Sequence, residues 1–247
     1  MKCQIICTTH SFEILSSLPP EGRVYLDSVA GTTQVLKGVS AEYACGKMGR
    51  SGASELDIFV EDQVAQTIVE ASLDQNLRTR CNVLEIGSHS SLKRLMAGRY
   101  MENRKNCLCL LDGDQKSTFE DTQKEIANSC DGKFSAQSEI IQEWVKTNLD
   151  YMPGEDWPEK WIFTKGIECF ESWQEMALQF WAIESAAKLK ELLEDAMAAG
   201  KHEEFRTLAA ALALQEENVR SQLITWLRTS IPESFSPISD KVSSLLS

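Results

Sequence analysis

The sequence predicts an α/β fold: a parallel sheet flanked by helices, followed by a helical C-terminal extension. Two observations carry this. LDIFVED, CNVLEIGS and NCLCLLDGD are short apolar runs bounded by turn residues and separated by segments of helical periodicity about a dozen residues long, the pattern of buried parallel strands with crossover helices. From about Glu171 onward apolar residues keep helical spacing over most of the chain. A composition of 43% hydrophobic and 25% charged residues in a chain of 247 is that of an ordinary globular protein with a real core.

In chain order, CQIICTTH reads as a strand, SFEILSSL as a short helix and PPEGRVYLDSV as a second strand, with Pro19, Pro20 and Gly22 marking the turn. GKMGRSGAS, Gly46 to Ser54, reads as a flexible boundary. LDIFVED is then a strand ending at Glu61, and QVAQTIVEASL a helix with Val64, Ile68 and Val69 on one face. CNVLEIGS is a strand ending at Gly87, and SSLKRLMAGRYM a helix facing the core with Leu92, Leu95, Met96 and Tyr100. NCLCLLDGD is the third strand, followed by a helix over 118–128, the segment KFSAQSEIIQEWV and a loop, YMPGEDWPEKW. ESWQEMALQFWAIESAAKLKELLEDAMAAG reads as helix up to a C-cap glycine, Gly200, with Trp173, Phe180 and Trp181 in the core. KHEEFRTLAAALALQEENVRSQLITWLRTS adds one or two helices, and PESFSPISDKVSSLLS reads as a polar, loosely held tail. The domain division is 1–45, 54–165 and 166–247.

Charge and cysteine usage narrow the function. A net charge of −12 disfavours long-range attraction to nucleic acid. A local exception lies between Ser90 and Asn106, where Lys93, Arg94, Arg99, Arg104 and Lys105 face one acid, Glu102. Lys93 and Arg94, just after the second strand, are the candidate substrate contacts; a solvated helix surface explains the run equally well. The eight cysteines include no CxxC pair, which argues against structural zinc and fits small core residues in a reduced, cytoplasmic setting. No apolar run reaches the roughly 20 residues of a membrane span.

Ligands of open parallel sheets bind outside the carboxyl ends of the strands. Here those ends carry Glu61, Gly87, and Asp112 with Asp114. Alone, Asp-Gly-Asp is a solvated strand-to-loop turn. With Glu61 at the equivalent place on another strand, three carboxylates converge on one sheet edge, an oxygen-rich environment suited to Mg²⁺ or Mn²⁺. Such ions stabilise the attacking and leaving oxygens of a phosphodiester.

IFVED (Ile58 to Asp62), EIGSHSSLKRLM (Glu85 to Met96) and LCLLDGDQ (Leu108 to Gln115) together resemble a Toprim domain, the metal-binding module of topoisomerases, bacterial primases and several nucleases. The shared pattern is a glutamate after one strand, a glycine after the next and Asp-x-Asp after the third. Within that group the chain resembles the overcoming-lysogenization-defect (OLD) nucleases, which join an ABC-type ATPase to a C-terminal Toprim domain. IICTTHSFEILSSLP is similar to the strand and switch-histidine loop near the end of such an ATPase, with His10 in the γ-phosphate-sensing position. The chain carries no GxxxxGK[ST] loop. The resemblance therefore implies an ATPase module in cis or in trans, this chain being the C-terminal part of a larger enzyme or a split gene product.

The resemblance implies further roles. Glu61 is a metal ligand or general acid/base, Asp112 and Asp114 are metal ligands, and Gly87 permits close approach of backbone or phosphate. Some family members carry another acid four residues after the glutamate; here that position is Ala65, with Asp62 beside Glu61. YMPGEDWPEKWIFTK resembles the family's Pro-Glu segment, making Glu159 a further ligand and Lys165 or Lys160 a cation for the developing phosphate charge. His89 lies after the second strand, and His202 reads as a structural or surface histidine. The implied activity is Mg²⁺- or Mn²⁺-dependent cleavage of DNA in phage defence or DNA processing, by a homo-oligomer. RNA cleavage, and a non-catalytic subunit docking on a separate ATPase, are the alternatives. A topoisomerase is disfavoured because none of the four tyrosines has a recognisable context.

Overall fold

A computed structural model of the protein describes residues 6–9, 11–29, 32–41, 43–44, 54–130 and 132–246. The switch-histidine reading falls on His10, outside the described residues, as does the 46–53 connection. Residues 6–9 of the expected first strand are not extended into a sheet. The helix after them is present as α1 (Phe12–Ser17), capped by Ser11. RVYLDSV forms β1 (Val24–Val29), whose antiparallel partner β2 (Thr32–Lys37) the sequence reading missed.

The central sheet has four parallel strands, β3 (Leu56–Val60), β4 (Cys81–Glu85), β5 (Cys107–Leu111) and β6 (Leu149–Tyr151), in the order β4-β3-β5-β6. Alternation along each strand sends its side chains to two different cores. Leu56, Ile58, Val60, Leu108 and Leu110 face one cluster; Phe59, Cys107, Cys109, Leu111 and Leu149 face the other. Because both faces are covered, the strands read as continuous apolar runs. Cys107, Cys109 and Cys130 are buried, as expected of core cysteines.

The second face is covered by α4 (His89–Met101), α5 (Phe119–Asn128) and α6 (Ser138–Asn148), through Leu92, Met96, Tyr100, Ile126, Ile141 and Val145. The first face is covered by α2 (Gln63–Ser72), the short α3 (Gln75–Arg80) and α7 (Pro158–Glu168). Polar caps set where the early helices start: Asp62, Asp74 and Ser88 each accept a backbone N–H in the first turn of α2, α3 and α4. Pro158 at the first helical position starts α7 inside what the sequence suggested was a loop.

The C-terminal third differs from expectation in two places. The helix read as running to Gly200 is broken into α8 (Gln174–Phe180) and α9 (Ala186–Ala198), with Ala182 at φ 52 and Ser185 capping the restart. The break leaves Phe180 67% exposed, so it is not a core residue, whereas Trp173 and Trp181 are buried. After α10 (Glu204–Leu212) and α11 (Glu216–Ser230), the supposed tail folds as α12 (Ser236–Leu246). Its Ile238 and Val242 enter the core beside Phe235, whose ring meets Trp161 edge-on at 5.3 Å. One apolar cluster joins Leu56 of the sheet to Val242, so the boundary drawn at 165/166 does not coincide with a break in the core.

Candidate metal and phosphate site

The β3–β4 pairing sets the floor of a pocket. It extends past the strand ends, where the Ile86 amide donates to the Val60 carbonyl (3.0 Å) and the Gly87 amide to the Glu61 carbonyl (2.9 Å). On the other side of β3, the Asp112 amide at the end of β5 points to the Glu61 carboxylate at 3.4 Å. Glu61, Gly87 and Asp112 therefore stand side by side at adjacent strand ends. Gly87 holds φ 111, a left-handed conformation that glycine alone adopts freely.

The glycine of Asp-Gly-Asp has a steric reason. A β-carbon on Gly113 would lie 2.6 Å from the Gly154 carbonyl oxygen and 2.8 Å from that of Asp156. The loop before α7 therefore packs directly on the turn after β5, and Lys116 ties it down through the Gly154 carbonyl and Glu155. That contact brings Glu159, in the first turn of α7, over the strand ends.

The resulting open pocket of about 630 Å³ is lined by Glu61, Asp62, Asp112, Asp114 and Glu159, with Gly87 and His89. The far wall comes from the C-terminal helices: Lys201 and His202 between α9 and α10, and Glu216 and Arg220 on α11. Lys201 donates to Asp114 at 3.0 Å, and His202 Nδ1 lies 2.9 Å from Glu159. Arg220 is 7% exposed, contacts Gln63 at 3.2 Å and Glu216 at 3.6 Å, and has an unpartnered Nε.

The carboxylates outnumber the cations, and their protonation reflects it. Burial, then the fields of Glu61, Asp62, Asp114 and Glu159, push Asp112 up to about 8. Burial also raises Glu61, against the Asp112 amide and His89, and raises Glu159, against its bond to His202. Asp114 moves the other way: burial lifts it, but hydrogen bonds from Gln115 and Lys201 more than offset this. Asp112 Oδ1 and Glu159 Oε2 are buried without any hydrogen-bond partner, on residues 6% and 4% exposed. Unsatisfied buried carboxylate oxygens facing a pocket fit a divalent cation, which would supply the missing positive charge.

Of the residues singled out from sequence, Glu61, Gly87, Asp112, Asp114 and Glu159 line this pocket together, and so does His89. Lys165 does not. It lies six residues beyond Glu159, on another side of α7, and its ammonium pairs with Glu168 at 2.6 Å. Lys160 pairs with Asp156 at 2.9 Å. Lys93 is engaged by Glu125 at 2.7 Å, and Arg94 is exposed on α4; neither lines the pocket. The basic run is largely absorbed by the fold, with Arg99 bound to Asp57 at 2.9 Å and Lys105 over the Tyr100 ring. The cations that do line the pocket, Lys201 and Arg220, come from the helical region and were not anticipated, nor was Asp62. No motif marks them, since only packing brings 201–220 to the strand ends.

No family model matches the chain, and no curated protein or solved structure matches it. No helix among the described residues is long and apolar enough to cross a membrane.

Proposed function

We propose that this chain is a divalent-metal-dependent endonuclease of the Toprim type, of the kind found in the OLD nucleases, hydrolysing phosphodiester bonds in DNA. The observation that carries the reading is the meeting of Glu61, Asp112, Asp114 and Glu159 in one pocket, with buried, unpartnered oxygens on Asp112 and Glu159. Glu61, Asp112, Asp114 and Glu159 would hold Mg²⁺ or Mn²⁺. The bound ion would lower the pKa of a water and neutralise charge on the phosphate.

The chain's own groups account for the rest. Arg220, held in the pocket wall by Gln63 and Glu216, would add a fixed positive charge to the field at a bound phosphate. Lys201, paired with Asp114 at 3.0 Å at the pocket rim, would add a second positive charge near the same phosphate. Glu61 accepts from the Asp112 amide, which orients its carboxylate for proton transfer at the strand end. An ATPase module in cis or trans, a homo-oligomeric state, a cytoplasmic setting and a role in phage defence complete the proposal, on the strength of the sequence resemblance.

Supercoiled plasmid incubated with the purified chain and Mn²⁺ should be nicked or linearised, with no product in EDTA or with Asp112→Ala. Nicking that survives Asp112→Ala would sink the assignment. Cleavage of labelled RNA but not DNA would move the substrate class while keeping the site.

A further inference from the structure

Within the same pocket, we propose that Asp62, Glu159 and His202 form a cation site of their own, with a nitrogen donor that favours Mn²⁺ or Zn²⁺ over Mg²⁺. It shares Glu159 with the centre described above, but it does not depend on what reaction that centre performs.

One ligand atom from each of the three residues lies within 4.8 Å of the other two, and among the described residues this is the only group of three or more His, Cys, Asp or Glu gathered so closely. The oxygens of Glu61, Asp112 and Asp114 are not, because Asp114 turns to Lys201 and Glu61 to the Asp112 amide. His202 Nδ1 and Glu159 Oε1 are 2.9 Å apart. Two ligand atoms in cis positions of an octahedron, each about 2.1 Å from its ion, lie about 3.0 Å apart.

An ordinary His–Glu ion pair explains less of the arrangement. It satisfies Glu159 Oε1 but leaves Oε2 buried without a partner, on a residue 4% exposed. It also leaves the second carboxylate, Asp62, beside that pair with no ion-pair partner among the described residues. A divalent ion satisfies both. Asp62 is already oriented, since the Ala65 amide holds its Oδ1 at 2.8 Å as the cap of α2.

The three residues come from the start of α2, the first turn of α7 and the loop between α9 and α10, so only the complete fold assembles them. His202 holds φ 66, a left-handed conformation uncommon for a residue with a side chain, two residues after Gly200 at φ 115. Two carboxylates and an imidazole make a mixed oxygen–nitrogen set, whereas Mg²⁺ favours oxygen ligands and retained water.

The test uses the full chain stripped of metal and loaded with one equivalent of Mn²⁺. Pulsed EPR should show ¹⁴N coupling from a bound imidazole, retained in His89→Ala and lost in His202→Ala. By calorimetry, Mn²⁺ should bind at least 10-fold more weakly to His202→Ala and Glu159→Gln, and wild-type protein should prefer Mn²⁺ and Zn²⁺ to Mg²⁺ by a similar factor. Absence of ¹⁴N coupling in the wild-type protein overturns the proposal without reference to any variant, and so does unchanged Mn²⁺ affinity in His202→Ala. Plasmid cleavage without ¹⁴N coupling would defeat this site and leave the nuclease reading standing. Coupling without cleavage would do the reverse.

Discussion

Asp112 holds its proton to about pH 8, because burial and four neighbouring carboxylates disfavour its charge. An aspartate in the unfolded chain titrates near 4, so the folded protein binds that proton more tightly. The resulting stabilisation is complete below about pH 4 and is lost as pH rises through about 8. In metal-free protein, Asp112→Asn should match wild type near pH 4 and be more stable by about 1–3 kcal/mol at pH 8, some 2–10 °C in Tm, because the pocket is open to water and the full shift is not realised. Equal Tm values at pH 8 would contradict the electrostatic account. Gly113 makes a second residue-scale case. Gly113→Ala forces a β-carbon against the Gly154 and Asp156 carbonyls and should cost about 1–3 kcal/mol in chemical denaturation. The glycine between the two aspartates was legible in the sequence only as a turn signal; its partner is a loop some 40 residues downstream. His202 is exposed, as the surface reading expects, and its contact with Glu159 was not legible because the two lie 43 residues apart in the chain.

At the level of elements, what was legible were the runs whose local pattern and tertiary role agree. β3, β4 and β5, and the helices α2, α4 and α5, fall where the sequence reading puts them. The misses have local sequences too short or too polar to announce themselves. β6 has three residues and pairs only with β5. α12 mixes four serines with four aliphatic residues, Ile238, Val242, Leu245 and Leu246, and its helical state is fixed by burying Ile238 and Val242. Phe235, 1% exposed against Trp161, anchors its entry. Phe235→Ala should therefore cost about 3–5 kcal/mol, read as a lowered denaturant midpoint. A loosely held tail would give almost no change, so an unaltered midpoint would contradict this packing.

For the whole molecule, the single core reaching from Leu56 to Val242 has a functional consequence. The strand ends supply Glu61, Asp112 and Asp114, α7 supplies Glu159, and the C-terminal region supplies Lys201, His202, Glu216 and Arg220, so no one part makes the pocket alone. A sequence reading that places motifs on strands finds the first half and has no means of finding the second. The net charge of −12 would suit a site that meets phosphate through bound divalent ions, with the exposed Lys201 and the buried Arg220 beside them, rather than through a broad basic face. The central claim is that the strand-end carboxylates perform phosphodiester hydrolysis. It is tested most directly by the single-turnover cleavage rate of labelled DNA at saturating Mn²⁺, for wild type and for Glu61→Gln of matched thermal stability. The account predicts that the variant falls by about 10³-fold or more, the loss expected when a group that acts at the reacting phosphate is removed. Equal rates in the two proteins would contradict it.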